Sequence, residues 1–403
     1  MASSMLAPAV GDIAKEFRAS DKAALAGQTS FVCMLGIGPL FLAPMSETFG
    51  RRKVFVVNSA MFTLLQIPTA LSPNIASFIA FRALSGFFGS VGVANGGGSI
   101  FDMFDVHERA PVLGFYLTAP LVAPSIGPLL GSVIVRSLDW RWIFWCMCML
   151  AAFVTTFIYF FLYETNPVAI LQARKSELQK KHPDVEYEVE GASDESIPKK
   201  IMNASDLTCS PENGTRAVKI LTTQPIVLIL SSYQALIFAS MYSLFATYTD
   251  IWSQPPYNFT TIQTGLAFLG PVVGFVTMST LVILYIDSIY NYVARKNDDD
   301  GLPEYRLVFA NIGAVLLPIS LFMFGWTVEM GLAWPVPLVA TVLFGASQVS
   351  IFNPVQTYYI DAYAKHAASA LAAGAFLRSM IGGVVPLFVG QMCVFPSTST
   401  RRF

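Results

Sequence analysis

Residues 110–135 read APVLGFYLTAPLVAPSIGPLLGSVIV, without a single charged side chain. The stretch exceeds the roughly 20 apolar residues that a helix needs to cross a hydrocarbon core about 30 Å thick. Pro120, Pro124 and Pro128 recur every four residues and therefore share one side of that helix. Each proline removes a backbone donor and bends a helix, which lipid tolerates only where a neighbouring helix or water satisfies the freed carbonyls. The sequence therefore predicts a bent membrane-spanning helix that is pressed against a partner.

Small residues beside these prolines indicate how the partner approaches. The row consists of Ala119, Ala123, Gly127 and Gly131. Small side chains let two helix backbones come close in a membrane, where packing drives helix association. We expect the partner to be the segment that carries Gly270 and Gly274. A rigid bend without functional movement is the alternative.

Similar segments recur along the chain, and they define its class. Ten are long enough to span a membrane, at residues 25–45, 54–72, 75–101, 110–135, 142–162, 225–249, 264–286, 307–326, 334–355 and 367–392. A further apolar fragment, residues 1–10, is too short to span and corresponds to part of a first span. Only 13% of the residues are charged, against about 25% in soluble proteins. The sequence therefore predicts an all-α integral membrane protein.

The same composition argues against several other classes of protein. The three histidines, His107, His182 and His366, stand far apart, and four of the five cysteines lie in apolar stretches. Neither a zinc site nor a Ser-His-Asp triad has the residues that it needs. The net charge of −1, without a concentrated basic stripe, disfavours nucleic acid as a partner. We therefore expect no enzyme activity, no metal and no cofactor.

Basic residues indicate which ends of the spans face the cytoplasm, because cytoplasmic loops are enriched in Lys and Arg. If the turn at residues 50–53 is cytoplasmic, alternation places sixteen Lys and Arg residues in inside loops and five in outside loops. The sequon at residues 258–260 then lies outside, where Asn258 is a candidate for glycosylation. The sequons at Asn203 and Asn213 lie inside, and we expect neither to be glycosylated.

The polar segment 163–224 divides the chain into two apolar regions. We interpret it as a cytoplasmic linker whose first part, residues 167–181, is a surface helix. Residues 1–162 then form an N-terminal helical bundle, and residues 225–392 form a C-terminal one. Residues 393–403 form an atypical tail.

A dipeptide repeat suggests that the two halves share one plan. Gly38-Pro39 lies in the second segment of the first half, and Gly270-Pro271 lies in the second segment of the other half. Transporters with such internal symmetry place a central site between two rocking bundles.

Two arginines lie inside predicted spans, Arg82 in the segment at 75–101 and Arg378 near the middle of the segment at 367–392. Each costs roughly 2.5 to 3.5 kcal/mol on insertion scales, so each must face protein or water. One interpretation is a ligand or counter-ion in a polar cavity. The other is a structural arginine that bonds carbonyls and hydroxyls of neighbouring helices.

A charged turn joins the segments at 25–45 and 54–72. Glu47 precedes Arg51 by four residues, and Gly50 breaks the helix between the two segments. Such a turn can pair with Arg109 or with a helix N-terminus in one conformation and release it in another. A determinant of membrane topology alone is the alternative.

Runs of sequence in both halves carry a specific resemblance to one family. They are residues 38–52 (GPLFLAPMSETFGRR), 82–89 (RALSGFFG), 124–131 (PSIGPLLG), 139–144 (DWRWIF), 303–307 (PEYRL), 324–327 (FGWT), 359–363 (YIDAY) and 368–373 (ASALAA). The first four resemble the loop signature, the fourth-span motif, the antiporter motif and the start of the sixth span of the major facilitator superfamily. The form is that of fungal twelve-span drug:proton antiporters, and the second-half runs resemble the same group.

The resemblance implies a major facilitator-type two-bundle fold, here with about ten complete spans and a partial first span. It also implies a multi-pass transporter in the plasma membrane that uses protons to expel drugs, polyamines or secondary metabolites by alternating access. The first span is represented only by its end, and no twelfth span follows Met392, so we expect the chain to be truncated at both ends. The expected partners are a small-molecule substrate, protons and the lipid bilayer, and we expect a monomer.

Two sets of residues are candidates for these roles. Conformational change or coupling is expected to involve Glu47, Gly50, Arg51, Arg52, Arg82, Asp102, Arg109, Pro124, Gly127, Pro128, Gly131 and Arg378. Substrate contact is expected of polar residues in second-half spans, which lipid would penalise. These are Tyr233, Gln234, Tyr242, Gln348 and Asn353.

Two other functions remain open at this point. The same fold also supports proton-coupled import, since a fold does not fix the direction of transport. A membrane sensor that transports nothing, or an inactive truncated fragment, is the second alternative.

Overall fold

A computed structural model describes residues 1–104, 106–182, 219–297, 302–363 and 367–392. In this part of the chain the regular secondary structure is helical, without strands. The α-helices are α1 (Val10–Glu16), α2 (Asp21–Phe49), α3 (Arg51–Ala70), α4 (Ile75–Gly89), α5 (Val91–Met103), α6 (Val106–Ser137), α7 (Arg141–Phe161), α8 (Pro167–Lys181), α9 (Pro225–Ser253), α10 (Thr261–Ala267), α11 (Leu269–Lys296), α12 (Ala310–Glu329), α13 (Pro335–Ala362), α14 (Ala367–Val384) and α15 (Pro386–Met392). Short 3-10 helices at Ala7–Ala9 and Pro303–Phe309 precede α1 and α12.

Nine helical stretches among the described residues are long and apolar enough to cross a membrane. They are Asp21–Phe49, Ile75–Ile100, Val112–Ser137, Arg141–Phe161, Pro225–Ser253, Thr261–Lys296, Pro303–Glu329, Pro335–Ala362 and Ala370–Val389. The predicted span at 54–72 corresponds to α3, a helix of 20 residues. It is less apolar than the other nine because it begins with three basic residues and contains Asn58 and Gln66. The all-helical membrane architecture that the sequence predicts is therefore confirmed.

The outer surface of the helices is apolar, as expected of a surface that faces lipid. On α7, the side chains of Phe153 and Phe160 are 70% and 66% exposed. If this face of α7 were in contact with water, its aromatic rings would form an unusually large exposed apolar patch. In a bilayer the same rings lie in hydrocarbon, so α7 presents one face to lipid and another to α3.

Helix starts follow local signals in the sequence. Ser20 caps α2 by accepting a hydrogen bond from the Ala23 N–H at 3.3 Å. The surface helix expected at 167–181 is α8, which begins with Pro167 and is capped by the side chain of Asn166. These residues satisfy backbone donors that a helix N-terminus leaves free. The acidic part of the linker, with the sequons at Asn203 and Asn213, lies outside the described residues.

The N-terminal segment is held to the start of α7 by Glu16. Its carboxylate accepts hydrogen bonds from the indole N–H of Trp140 and the guanidinium of Arg141. Burial raises the pKa of Glu16, but these hydrogen bonds and the positive charge of Arg141 outweigh burial and lower the pKa overall. Glu16 therefore stays ionised and joins the N-terminal segment, residues 1–16, to the start of α7.

We call residues 1–161 the first half and residues 225–392 the second half, since α7 ends at Phe161 and α9 begins at Pro225. The two halves meet along two seams. In one, α2 packs along α14, and a Cβ atom placed on Gly36 would lie 2.6 Å from the Cβ of Ser379. In the other, α6 packs against α10 and α11. The structure is therefore a two-bundle fold, as the sequence predicts.

The expected pairing of α6 with the helix that carries Gly270 and Gly274 is confirmed, because α6 contacts α11. The glycine row, however, is not the face of α6 that makes this contact. Side chains at Gly127 and Gly131 would overlap Ser4 and Met5 of the N-terminal segment rather than α11. The face of α6 that contacts α11 instead carries Thr118, whose hydroxyl forms a hydrogen bond with Ser279. Thr118 and Gly127 are nine residues apart, which is half a rotation of a helix with 3.6 residues per turn. The two faces are therefore opposite, and one row cannot serve both partners.

The glycines expected to meet that row pack elsewhere. A side chain at Gly274 would overlap the backbone carbonyl of Val342 in α13, and one at Gly345 would overlap the carbonyl of Pro271 in α11. The small residues of α11 therefore serve contact within the second half. The α6 helix is continuous through Pro120, Pro124 and Pro128, and its bend stays a prediction.

The Gly-Pro repeat marks equivalent contacts in the two halves. A side chain at Gly38 in α2 would overlap Ser90, at the junction of α4 and α5. A side chain at Gly270 in α11 would overlap Thr341 in α13. In each half the second segment thus packs closely against the fourth, which agrees with two halves of similar plan.

Candidate substrate cavity and charge clusters

A cavity of about 390 Å³ lies between the two halves. Its walls come from α2 to α6 and residues 1–3 on one side, and from α9 and α14 on the other. Aromatic side chains line much of it: Phe31, Phe62, Phe88, Tyr116, Phe238 and Tyr242. The volume is within the range of about 300 to 1,000 Å³ that is usual for small-molecule sites. We call this space the central cavity.

Among the described side chains that line the central cavity, Arg378 of α14 is the only charged one. It is 7% exposed, and its Cζ lies 5.3 Å from the centre of the Phe238 ring and 5.1 Å from that of Phe352. A cation over an aromatic face is attracted by the electrons of the ring. The Nη1 atom of Arg378 is buried without a hydrogen-bond partner.

A smaller cavity of about 30 Å³ is lined by Tyr116 and Arg378 as well as by Gln356 and Leu371. A Cβ atom added to Gly97 of α5 would lie 3.2 Å from Cδ1 of Leu371, so Leu371 packs against α5. The two halves therefore touch next to this space.

A third cavity, of about 680 Å³, lies where α1 and the start of α2 approach the ends of α9 and α15. Charged residues line it, among them Asp21, Lys22 and Asp250. By the predicted sidedness this is the external end of the molecule. Gln28 also lines this cavity, one helical turn from Phe31 and Val32 of the central cavity.

The charged turn between α2 and α3 is the core of a cluster at the opposite end of the spans. Arg51 is buried, and its Nε donates to Asp102 in α5 at 3.2 Å, while its Nη1 donates to Ser46 at 2.7 Å. Glu47, which is exposed, lies 4.0 Å from Nη2. We call Ser46, Glu47, Arg51, Asp102 and Glu164 the N-half charge cluster.

Glu164, which follows α7, caps the start of α3. Its carboxylate accepts from the backbone N–H groups of Arg51 and Arg52 at 2.7 and 3.2 Å. Gly50 makes this possible, because its φ of +94° is a conformation that favours glycine and a side chain there would lie 2.5 Å from Glu164 Oε2. Arg52 also donates to the carbonyl of Tyr159 at 2.9 Å. Negative charge at a helix N-terminus is stabilising.

The second half contains a matching group of charges. Arg306, in the 3-10 helix before α12, donates to Asp361 of α13 at 2.5 Å and to Asp287 of α11 at 2.8 Å. Its Cζ lies 4.8 Å from the centre of the Tyr290 ring. We call Asp287, Arg306 and Asp361 the C-half charge cluster. In both halves an arginine from the loop after the second segment binds an aspartate near the end of the fourth.

The comparison with known families agrees with this arrangement. Residues 1–386 match the family described as the Major Facilitator Superfamily. The chain belongs to the major facilitator superfamily. Within it, the chain is 34% identical over 397 residues to an uncharacterized transporter, mfc1, of Schizosaccharomyces pombe, covering 97% of this chain and 80% of that protein. It is also 33% identical over 395 residues to the efflux pump radE of Floropilus chiversii, covering 97% of this chain and 71% of the pump.

Solved structures of the superfamily share the fold. A partially occluded, inward-open structure of the xylose transporter XylE from E. coli superimposes with a TM-score of 0.65 at 16% identity. It covers 96% of this chain and 88% of that one. The fungal relatives and this likeness confirm both the family that the motifs indicated and a transporter fold.

Arg82, in the fourth-span motif of the superfamily, lies outside the central cavity. It is 1% exposed, its Nη2 donates to the carbonyl of Ala2 at 2.9 Å, and its Nε donates to the carbonyl of Gly27 at 3.4 Å. Its Cζ also lies 4.3 Å from the centre of the Phe31 ring. This geometry agrees with the second interpretation of Arg82 given above, that of a structural arginine that donates hydrogen bonds to carbonyl groups of neighbouring segments. A role in coupling stays a prediction.

The five predicted substrate contacts are not all at one place. Tyr242 lines the central cavity and donates to Ser3 Oγ at 3.2 Å. Gln234 accepts a hydrogen bond from Gln356 at 3.4 Å and so lies behind the smaller cavity. Tyr233, Gln348 and Asn353 do not line the central cavity, and the side-chain amides of the last two are buried without a partner. Their contact with substrate stays a prediction.

Of the predicted coupling residues, Asp102 lies in the N-half charge cluster and Pro124 lines the central cavity. Pro128 is buried in α6. The side chain of Arg109 lies outside the described part of the structure, so its pairing with the charged turn stays a prediction. Asn258 is exposed in the loop between α9 and α10.

Sequence reasoning missed the aromatic lining of the cavity and the C-half charge cluster. Phe31, Phe62 and Phe88 resemble any lipid-facing aromatic in sequence, because most of the residues around them in their spans are apolar. The motif at residues 303–307 contains Arg306, and its resemblance to the family could have marked this arginine as a candidate site residue. Among the described residues, no group of three His, Cys, Asp or Glu side chains could hold a metal ion.

Proposed function

We propose that this transporter exports drugs or secondary metabolites from the cytoplasm across the plasma membrane, uses inward proton movement as its energy source, and acts as a monomer. One observation carries the proposal: the central cavity has walls from both halves. A substrate held there is exposed to one side or the other when the halves rock about it.

The charge clusters support such a movement by making each half a unit. Arg51 joins the turn after α2 to Asp102 of α5, and Glu164 joins the same turn to the end of α7. Arg306 joins α11 to α13. These ion pairs join segments of the same half, and Glu164 lies directly after the last helix of the first half. The two halves, in contrast, meet through close packing and through neutral hydrogen bonds such as that between Thr118 and Ser279. Seams of small residues let helices slide while each cluster stays intact.

The direction of transport and the coupling to protons rest on resemblance. One relative that spans nearly this whole chain is named an efflux pump, and residues 124–131 resemble the antiporter motif. Pro124 of that motif lines the central cavity. The part of α6 that resembles the antiporter motif thus borders the space where substrate would bind.

Flux in membrane vesicles of known orientation tests the proposal. Inside-out vesicles from cells that express the chain should accumulate a fluorescent drug when their lumen is made acidic, and a protonophore should abolish this accumulation. Vesicles from cells that carry the empty vector provide the background. Membrane insertion is checked by surface labelling of the same cells.

The alternatives give different outcomes in the same assay. A proton-coupled importer would accumulate solute in right-side-out vesicles with an acidic exterior and would show no inward flux in the inside-out preparation. A sensor or an inactive protein would insert normally and move nothing above background. Either result contradicts the proposed export.

A further inference from the structure

We infer that the exported molecules are amphipathic organic anions, with an aromatic or otherwise apolar body and one carboxylate that pairs with Arg378. The inference rests on the proposed function, because it names the substrate class of the central cavity. Three observations carry it: the charge of the lining, the free nitrogen of Arg378 and the aromatic walls.

The lining of the central cavity carries positive charge without a matching negative one. The guanidinium of Arg378 stays protonated at any physiological pH. Among the described side chains that line the cavity there is no Asp or Glu. A buried cation without a counter-ion is unfavourable, and the rings of Phe238 and Phe352 compensate only in part. An anionic substrate supplies the missing charge, whereas a polyamine would be repelled.

Compared with the two tyrosines of the lining, Arg378 is the group whose hydrogen-bond donors are free to bind the anion. The hydroxyl of Tyr116 donates to the carbonyl of Gly92, and the hydroxyl of Tyr242 donates to Ser3. Both hydroxyl hydrogens are therefore already engaged. Nη1 of Arg378 is the only buried nitrogen or oxygen that lacks a partner among the described side chains lining this cavity. Guanidinium N–H groups match the geometry of a carboxylate.

The remaining wall is suited to an apolar body. Phe31, Phe62 and Phe88 line the first-half side, opposite Phe238 of α9. Aromatic rings prefer to pack against other rings in offset or edge-to-face arrangements. A cavity of about 390 Å³ is large enough for a molecule of one or a few rings. The site therefore combines one cationic contact with an apolar enclosure.

Three probes with one common ring system separate the charge from the apolar contribution. These are 2-naphthoate, 2-naphthamide and 2-naphthylmethylammonium, measured by isothermal titration calorimetry with the purified chain in lipid nanodiscs at pH 7. We expect naphthoate to bind about 10- to 100-fold more tightly than naphthamide, as for a charge-assisted hydrogen bond. The ammonium probe should bind most weakly.

Variants assign the preference to one residue. Arg378→Gln should bring naphthoate and naphthamide to equal affinity, and Arg378→Lys, which keeps the positive charge, should retain part of the preference. Arg136→Gln is the matched control, because it makes the same change at an exposed residue at the end of α6, outside the cavity. It should bind all three probes like the unmodified chain.

The outcomes distinguish this inference from the proposed function. Equal binding of the three probes, binding of none of them, or an anion preference that survives Arg378→Gln overturns the substrate class. Export of a neutral or cationic drug in the vesicle assay would then still support the proposed function. Conversely, binding of naphthoate through Arg378 by a chain that exports nothing would leave the site standing and refute export. The comparison of probes on the unmodified chain needs no variant to fold.

Discussion

Arg51 shows how a single residue connects several segments at one end of the first half. Its side chain is 7% exposed, and that of Asp102 is 14% exposed, so the charges of both are largely removed from water. A charge pair in such surroundings depends on both partners, since loss of one leaves the other uncompensated. Glu47 contacts the same arginine from outside, with a side chain that is 56% exposed. The two acidic residues should therefore differ strongly in their effect on stability.

We expect Asp102→Ala to destabilise the protein by about 3 kcal/mol, because Arg51 then stays buried with Ser46 as its remaining close partner. Glu47→Ala, the matched control, should change stability by less than about 1 kcal/mol, as is usual for exposed ion pairs. The measurement is the thermal loss of the monodisperse peak in fluorescence-detected size-exclusion chromatography. Equal melting temperatures for the two variants would contradict the importance of the Arg51–Asp102 pair.

At the residue scale, sequence reasoning succeeded where partners lie in one recognisable motif and failed where they do not. Glu47, Gly50 and Arg51 stand within five positions, and the structure brings all three together. Arg306 and its two aspartates lie 19 and 55 positions apart. Each of those residues is at the end of a span, where charges are common, so only the folded chain shows which of them pair.

In the second half, α11 and α13 approach each other closely through two glycines. Gly274 of α11 lies against the carbonyl of Val342, and Gly345 of α13 lies against the carbonyl of Pro271. Each glycine thus receives the backbone of the other helix, which is how small residues bring helices together in a membrane. Ile286 and Phe344 pack into the adjoining hydrophobic core.

Gly274→Ala should therefore separate the two helices and lower stability by about 1 to 3 kcal/mol, the usual effect of overpacking. Gly325→Ala in α12 is the matched control, because a Cβ atom there would meet nothing within 4 Å among the described residues. We expect that control to melt at the temperature of the unmodified chain or slightly above it. If the two variants show the same thermal behaviour in detergent micelles, the close contact at Gly274 does not determine the packing.

The helices themselves were predictable from the sequence, but the contacts between them were less so. Length and apolar composition place a span wherever about 20 residues avoid charge, and this rule found every long helix in the described part of the chain. The pairing of helices depends on which face of each helix carries its row of small residues. In α6, Gly127 and Thr118 lie on opposite faces, so the row that looked suited to α11 meets the N-terminal segment instead.

At the scale of the whole molecule, the two charge clusters lie at one end of the spans, and the cavity lined by Asp21 and Asp250 lies at the other. The distribution of Lys and Arg predicts that the cluster end faces the cytoplasm. The central cavity then lies between an end tied by ion pairs, predicted to be cytoplasmic, and an opposite end that contains the cavity of about 680 Å³. The membrane topology of the chain, that is, which end of the spans faces the cytoplasm, therefore determines which cavity a cytoplasmic substrate reaches first.

Glycosylation of Asn258 tests that direction. Its loop follows α9, and the sequon Asn258-Phe259-Thr260 is exposed at the end where Asp250 lies. In a eukaryotic host the chain should migrate more slowly on a gel than after glycosidase treatment, and Asn258→Gln should remove the difference. Asn258 is exposed and has a φ of +49°, a conformation that asparagine adopts more readily than glutamine, so correct insertion of the variant is checked by surface labelling. A glycan that persists in Asn258→Gln and disappears in Asn203→Gln would place the linker outside, and then the charge clusters would face the exterior and the export direction would reverse.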